Sequence, residues 1–166
     1  IQTKGVYRCP SDKSTIKVGR NEMPRLRSYA LNSFVGWDTT RGRGEPAYRN
    51  QPNSRYQSYL KMSDSARGPG EIFTFIEVHP LSLCRPFFGL NMKQSFYHVP
   101  AGYHSGTAAL GYMDGSSKVR KWMGRDTKQL HARGDEGGQW GGHSDSNMRN
   151  QERIWLQERA TKLMGR

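Results

Sequence analysis

Read for hydrophobic period, the chain shows strand-like stretches first and a helical stretch last. Across residues 27–36, Tyr29, Leu31, Ser33 and Val35 stand two apart, and the aromatic and β-branched residues among them predict a strand. Residues 71–78 alternate more strongly, with Ile72, Thr74, Ile76 and Val78 on one face and Phe73, Phe75 and Glu77 on the other. Both faces are largely apolar, so this strand is expected to be covered on both sides. His79-Pro80 then ends regular pairing, because proline has no N–H to donate. A proline-flanked turn over 81–86 leads to a short apolar run from Phe87 to Leu90. Residues 107–113 and 116–122 flank Asp114-Gly115, a pair suited to a two-residue type I′ turn with two positive φ angles. That turn sets Met113 against Ser116 and Leu110 against Val119. Ala108, Leu110, Tyr112, Val119 and Lys121 would form the buried side of this hairpin, and Lys118, Arg120 and Trp122 a basic, wet side.

Near the end of the chain the spacing turns helical. Ile154, Trp155, Leu156, Ala160, Leu163 and Met164 form a broad apolar stripe, read as core packing. Residues 145 to 147 offer N-caps, and Glu158 and Lys162 an i,i+4 ion pair. Two stretches read as loops: residues 38–56, with Arg-Gly-Arg-Gly at 41–44 and Pro52-Asn53, and the glycine-rich residues 134–146. No internal repeat is visible. Strands followed by a helix predict an α+β fold, an antiparallel sheet with long loops and a C-terminal helix, as a single domain over 1–166.

Composition adds a constraint. Leu, Ile, Val and Phe make up only about 16% of the chain and the net charge is +12, a combination that leans toward disorder. Six Phe, four Trp and eight Tyr oppose it, because aromatic rings bury large area per residue. A folded, loop-rich domain follows. No run approaches the roughly 20 apolar residues of a membrane helix. The opening on Ile1 rather than Met suggests a trimmed product with a segment missing upstream.

Candidate chemistry is thin. A phosphate-cradling glycine loop, an HExxH pair and a Gly-x-Ser-x-Gly elbow are all absent, so the reading is non-catalytic. Glu77 and His79 leave the strand end on one face and could ligate a divalent cation with His104 or Asp114; the plainer role for His79 is to cap the strand end. Asp135, Glu136 and Asp145 could supply oxygens to Ca²⁺ but lack EF-hand spacing and read as an ordinary solvated loop. Cys9 and Cys84 are too few for a disulfide scaffold, and a bridge between them stays open. Arg25, Arg27, residues 41–44 and the run Lys118, Arg120, Lys121 set cations near aromatics, a surface that attracts acidic polymers.

Taken in order, several segments resemble one family. His104 is followed by nine residues and then Asp114-Gly115, the signature of the prepilin-type, processing-associated His-x9-Asp-Gly domain proteins. Cys9-Pro10-Ser11-Asp12 is similar to that family's Cys-Pro-Ser/Ala-Asp element, and Arg27-Ser28-Tyr29, with Asn32 after it, to its Arg-Ser-Tyr-x-x-Asn strand. Phe75, Glu77, His79 and Pro80 resemble its Phe-x-Asp/Glu-Glu-His-Pro segment, with Val78 where an acid is usual. His104-Ser105-Gly106, Lys121-Trp122 and the Trp155-Leu156-Gln157-Glu158-Arg159 helix also match. Two departures stand out. Leu81 to Pro86 replace the polar residues usual after His-Pro, and Ser116 stands where a second His is common.

The resemblance implies a pilin-like globular domain, a subunit of a type II secretion pseudopilus or type IV pilus-like filament. Its N-terminal hydrophobic helix would be absent here, docking in the intact protein on the apolar faces of residues 71–78 and the hairpin. The implied partners are other pilin-like subunits and secretion components, with the membrane reached through the missing helix. The implied location is the bacterial cell envelope, on its periplasmic or extracellular side. No cofactor is expected beyond an optional divalent cation. Cys9, Pro10, Asp12, Glu77, His79, Pro80, His104, Asp114 and Gly115 are expected to serve structure, His104 by bonding backbone or Asp114. The alternative function is a surface module that binds acidic or sulfated polysaccharide, or DNA, through Lys118, Arg120 and Lys121.

Overall fold

A computed structural model describes residues 4–36, 55–65, 67–90, 92, 96–125, 127 and 150–164. Residues 38–54 of the stretch read as a loop over 38–56, the glycine-rich stretch with Asp135, Glu136 and Asp145, and the cap candidates at 145–147 lie outside the described residues. The fold is α+β. A small hairpin, β1 (Thr15–Val18) and β2 (Asn21–Pro24), precedes a five-stranded sheet built from β3 (Tyr29–Asn32), β4 (Phe73–Glu77), β5 (Phe87–Phe88), β6 (Thr107–Tyr112) and β7 (Ser117–Lys121). The strand order is β5-β3-β4-β6-β7, antiparallel except for the β3–β5 pair. The C-terminal helix, α1 (Gln151–Ala160), packs against β4. No described helix is long and apolar enough to cross a membrane.

The strand over 71–78 is shorter than its alternation predicts, since Pro69–Glu71 forms a 3-10 turn. Its two faces are also not equivalent. Phe73 pairs with Tyr112 but Phe75 with Gly111 and Ile76 with Leu110, an extra residue that marks a β-bulge. The bulge turns both Phe73 and Ile76 toward α1, where they are buried with Ala30, Phe88, Leu110 and Leu156. Phe75 is left 51% exposed on the other face. The expectation of cover on both sides therefore holds only near the Glu77 end.

Asn32 ties the layers together. Its amide donates to the carbonyls of Phe73 at 2.9 Å and Ala160 at 3.0 Å, and its oxygen accepts from Phe34 N. Burying a polar side chain is tolerated here because each of its groups is paired.

The β6–β7 hairpin corrects the sequence reading. Tyr112 N donates to Ser116 O at 2.8 Å and Gly115 N to Tyr112 O at 3.0 Å, so Met113-Asp114-Gly115 is a three-residue loop. Gly115 sits at φ 83°, the left-handed residue that closes a type I turn with a G1 bulge. Leu110 therefore faces Lys118, and Val119 faces Ala109. A shift of one residue exchanges the two faces of a strand. Val119 is 67% exposed, Trp122 is fully buried, and Lys118 and Arg120 point to the α1 side.

The helix also ends earlier than the apolar stripe. Asn150 caps it, accepting from Glu152 N and Arg153 N at 3.0 Å each. Leu156 and Ala160 are buried, whereas Leu163 and Met164 lie beyond the last turn and are exposed. Lys162 is likewise past the helix end, and Glu158 meets Arg159 instead.

Candidate functional site

Glu77 is the last residue of β4, and its side chain stands on the face opposite α1. Cys9 reaches it through a turn of its own: Asp12 N donates to Cys9 O at 2.9 Å, closing the Cys-Pro-Ser-Asp sequence as a β-turn. Asp12 then fixes that turn to the sheet. Its carboxylate accepts from Ser14 N at 2.9 Å, Ser14 Oγ at 2.6 Å and Ser28 Oγ at 2.6 Å, while Cys9 N donates to Ser28 Oγ at 3.1 Å. Burial alone would raise the Asp12 carboxyl, but the hydrogen bonds from Ser14 and Ser28 outweigh it and hold it below the ordinary value.

His104 closes the group from the other side. Ser105 (φ 54°) and Gly106 (φ 84°) are successive left-handed residues, and Ser105 is the one non-glycine among the described residues with positive φ. That bend sets His104 Nε2 3.2 Å from Cys9 Sγ and 3.4 Å from Glu77 Oε1, with Nδ1 3.3 Å from Ser11 Oγ. Glu77 is wholly buried, and its Oε2 accepts from Ala109 N at 2.7 Å. No hydrogen bond reaches Oε1 among the described residues.

Two tyrosines line the same space. Burial, then the charges of Glu77 and Cys9, push the Tyr29 hydroxyl up to about 12. Tyr103, which donates to Val78 O at 3.0 Å, is raised by burial and by Asp12. The Cys9 thiol is raised too, by burial first and then by Glu77.

The geometry differs from that of a Cys-His-acid proton relay. In a Cys-His-acid relay the thiol and the acid use different ring nitrogens, and the thiol is activated by a lowered pKa. Here Cys9 and Glu77 converge on the same Nε2, and the thiol is shifted the opposite way. Several donor atoms aimed at one point resemble a coordination site more closely.

The remaining sequence candidates go elsewhere. His79 Nδ1 accepts from Leu81 N at 3.3 Å and caps the 3-10 turn Pro80–Ser82. Asp114 accepts from Ser116 N and Oγ at the far end of β6 from His104. Six residues of strand span about 20 Å, so the expected His104–Asp114 bond cannot form. The His-x9-Asp-Gly spacing marks the two ends of one strand. Cys9 and Cys84 are both free, and Cys84 Sγ lies 3.3 Å from His98 Nε2.

The predicted basic face is dispersed as well. Lys118 lies over the Tyr112 ring and Arg120 over Trp155, 3.9 Å from its centroid, while Lys121 alternates to the opposite face. Ser11, Tyr29 and Tyr103 escaped the sequence reading as parts of the Glu77 group; no local spacing links them, and only the sheet brings them together.

The chain was compared with known protein families, with curated proteins and with solved structures, and it matches none of them.

Proposed function

We propose that this chain is the head domain of a pilin-like filament subunit, of the type II secretion or type IV pilus kind, whose work is assembly. The observation that carries the reading is the sheet face opposite α1. Phe75 and Val119 are more than half exposed there, beside Leu31, Ala109 and Gly111, which share the face by register. The small residues Ala109 and Gly111 leave a shallow apolar track between the two larger side chains. The 3-10 turn Lys4–Tyr7 lies at the covered end of this face, because Ser28 N donates to Tyr7 O at 2.9 Å. A helix leading into that turn would have the track within reach.

The motif resemblance supplies the occupant: an apolar N-terminal helix, which anchors the subunit in the inner membrane and then bundles with its neighbours. The domain would decorate the filament on the outer side of that membrane.

The test is the native gene. Its reading frame upstream of Ile1 should encode an apolar stretch of about 20 residues, and its product should fractionate with membranes and sheared surface filaments. Phe75→Lys with Val119→Lys should abolish recovery in filaments while the domain keeps its circular dichroism spectrum. A reading frame with no apolar stretch, or a double variant that assembles normally, would overturn the proposal.

A further inference from the structure

We propose that Cys9, Glu77 and His104 form a zinc-type metal site. Cys9 Sγ, a Glu77 carboxylate oxygen and a His104 ring nitrogen all lie within 4.8 Å of one another. Two of the three separations come close to those of ligands on a shared ion. Bonds of about 2.0–2.3 Å in tetrahedral geometry separate ligand atoms by about 3.3–3.6 Å. The two contacts of His104 Nε2 are 3.2 Å to sulfur and 3.4 Å to oxygen.

Glu77 provides an independent observation. Its carboxylate is wholly buried, one oxygen is committed to Ala109 N, and the other is aimed at the His104 ring without a hydrogen bond. Leaving one lone-pair-bearing oxygen of a buried carboxylate unmatched is costly. An ion removes that cost.

The donor set selects the metal. One sulfur, one imidazole nitrogen and one carboxylate oxygen suit a borderline d¹⁰ ion such as Zn²⁺, whereas Ca²⁺ and Mg²⁺ prefer oxygen alone. Binding replaces the S–H bond of Cys9 with an S–Zn bond and releases that proton to solvent. Thiolate, carboxylate and Zn²⁺ then sum to zero charge, so no net charge is buried. Three protein ligands would leave the fourth position to solvent. Ser11 Oγ near His104 Nδ1 orients that ring, as outer-shell partners of metal-bound histidines do.

The experiment titrates the chelator-treated, reduced chain with Co²⁺ alone and then with Zn²⁺ alone. Co²⁺ should bind at one equivalent with thiolate-to-cobalt charge-transfer absorption and the visible bands of a tetrahedral ion. Zn²⁺ should displace it, raise the melting temperature, and release close to one proton in calorimetry across buffers. Cys9→Ser should lose the charge-transfer band, and Cys84→Ser should keep it. His104 is partly exposed, so His104→Ala should fold and bind Co²⁺ at least about tenfold more weakly. Absence of the thiolate band in the wild-type chain would overturn the assignment, as would its dependence on Cys84. His104→Ala binding as tightly as wild type would do the same, and this arm stands even if Cys9→Ser does not fold.

Discussion

Exchanging residues on the two faces of β7 tests the hairpin register, on which both the core and the open face depend. Trp122 is fully buried, donates from Nε1 to Ala101 O at 2.7 Å, and meets Trp155 edge-on at 6.5 Å between ring centroids. Trp122→Ala should cost about 3–5 kcal/mol from the lost ring and its cavity. A further ~1–3 kcal/mol comes from the orphaned Ala101 carbonyl. Against a typical domain stability of about 5–15 kcal/mol, that leaves little margin. Trp122→Phe is therefore the informative variant. It keeps a ring in the site and loses the donor, for about 1–3 kcal/mol. Val119 is two-thirds exposed, so Val119→Lys should shift stability by no more than about 0.5 kcal/mol. Urea unfolding followed by circular dichroism gives both values from the midpoint and slope. The two-residue turn would reverse the pattern, since Val119 would then lie inside and Trp122 in water. A Val119→Lys variant destabilised by more than about 2 kcal/mol, alongside a neutral Trp122→Phe, would refute the register.

Two further outcomes are expected. Gly115 at φ 83° has open space where a Cβ would sit, so Gly115→Val should cost about 1–2 kcal/mol from backbone strain alone, and a variant with unchanged thermal stability would count against the loop geometry. The Asp12 carboxyl is held below its ordinary value in the folded chain, so its contribution is complete above the unfolded pKa and is lost as pH falls through the folded one. Asp12→Asn should accordingly lower stability at neutral pH and flatten the acid limb of a stability–pH curve; an unchanged limb would show that Asp12 is not its source.

Much of the architecture was legible because it rests on local rules. The β4 stretch announced itself by alternation, the β6–β7 hairpin by Asp-Gly, and α1 by its apolar stripe. What failed was register and extent. Asp-Gly is compatible with both a two-residue and a three-residue loop, and the choice between them moves every side chain of β7 to the other face. The bulge at Phe73–Phe75 has no local signature either, yet it decides that Phe75 is exposed while Phe73 is core. Leu163 and Met164 match the helical stripe, but Ala160 marks the end of the helix where Asn32 captures its carbonyl.

The Glu77 group shows the same division more sharply. Residue type and spacing singled out Glu77 and His79 as ligand candidates, with His104 or Asp114 to complete the set, but that pairing assumed that strand geometry continued through residue 79. The chain leaves the strand at Glu77, and His79 turns to its own backbone instead. Cys9, which the spacing did not connect to Glu77 or His104, arrives from a turn anchored on Ser28.

The sequence by itself determined the types of β3, β4, β6, β7 and α1, the antiparallel-sheet-plus-helix class and the identity of the turn residues, because these follow from periods and dihedral preferences a few residues long; it gave no sign of the β1–β2 hairpin. Only the tertiary structure decided which face of each strand meets the core, and that Cys9, Glu77 and His104 share one point in space. Those outcomes depend on strand register and on contacts between residues 27 to 95 positions apart, for which no local preference supplies a rule.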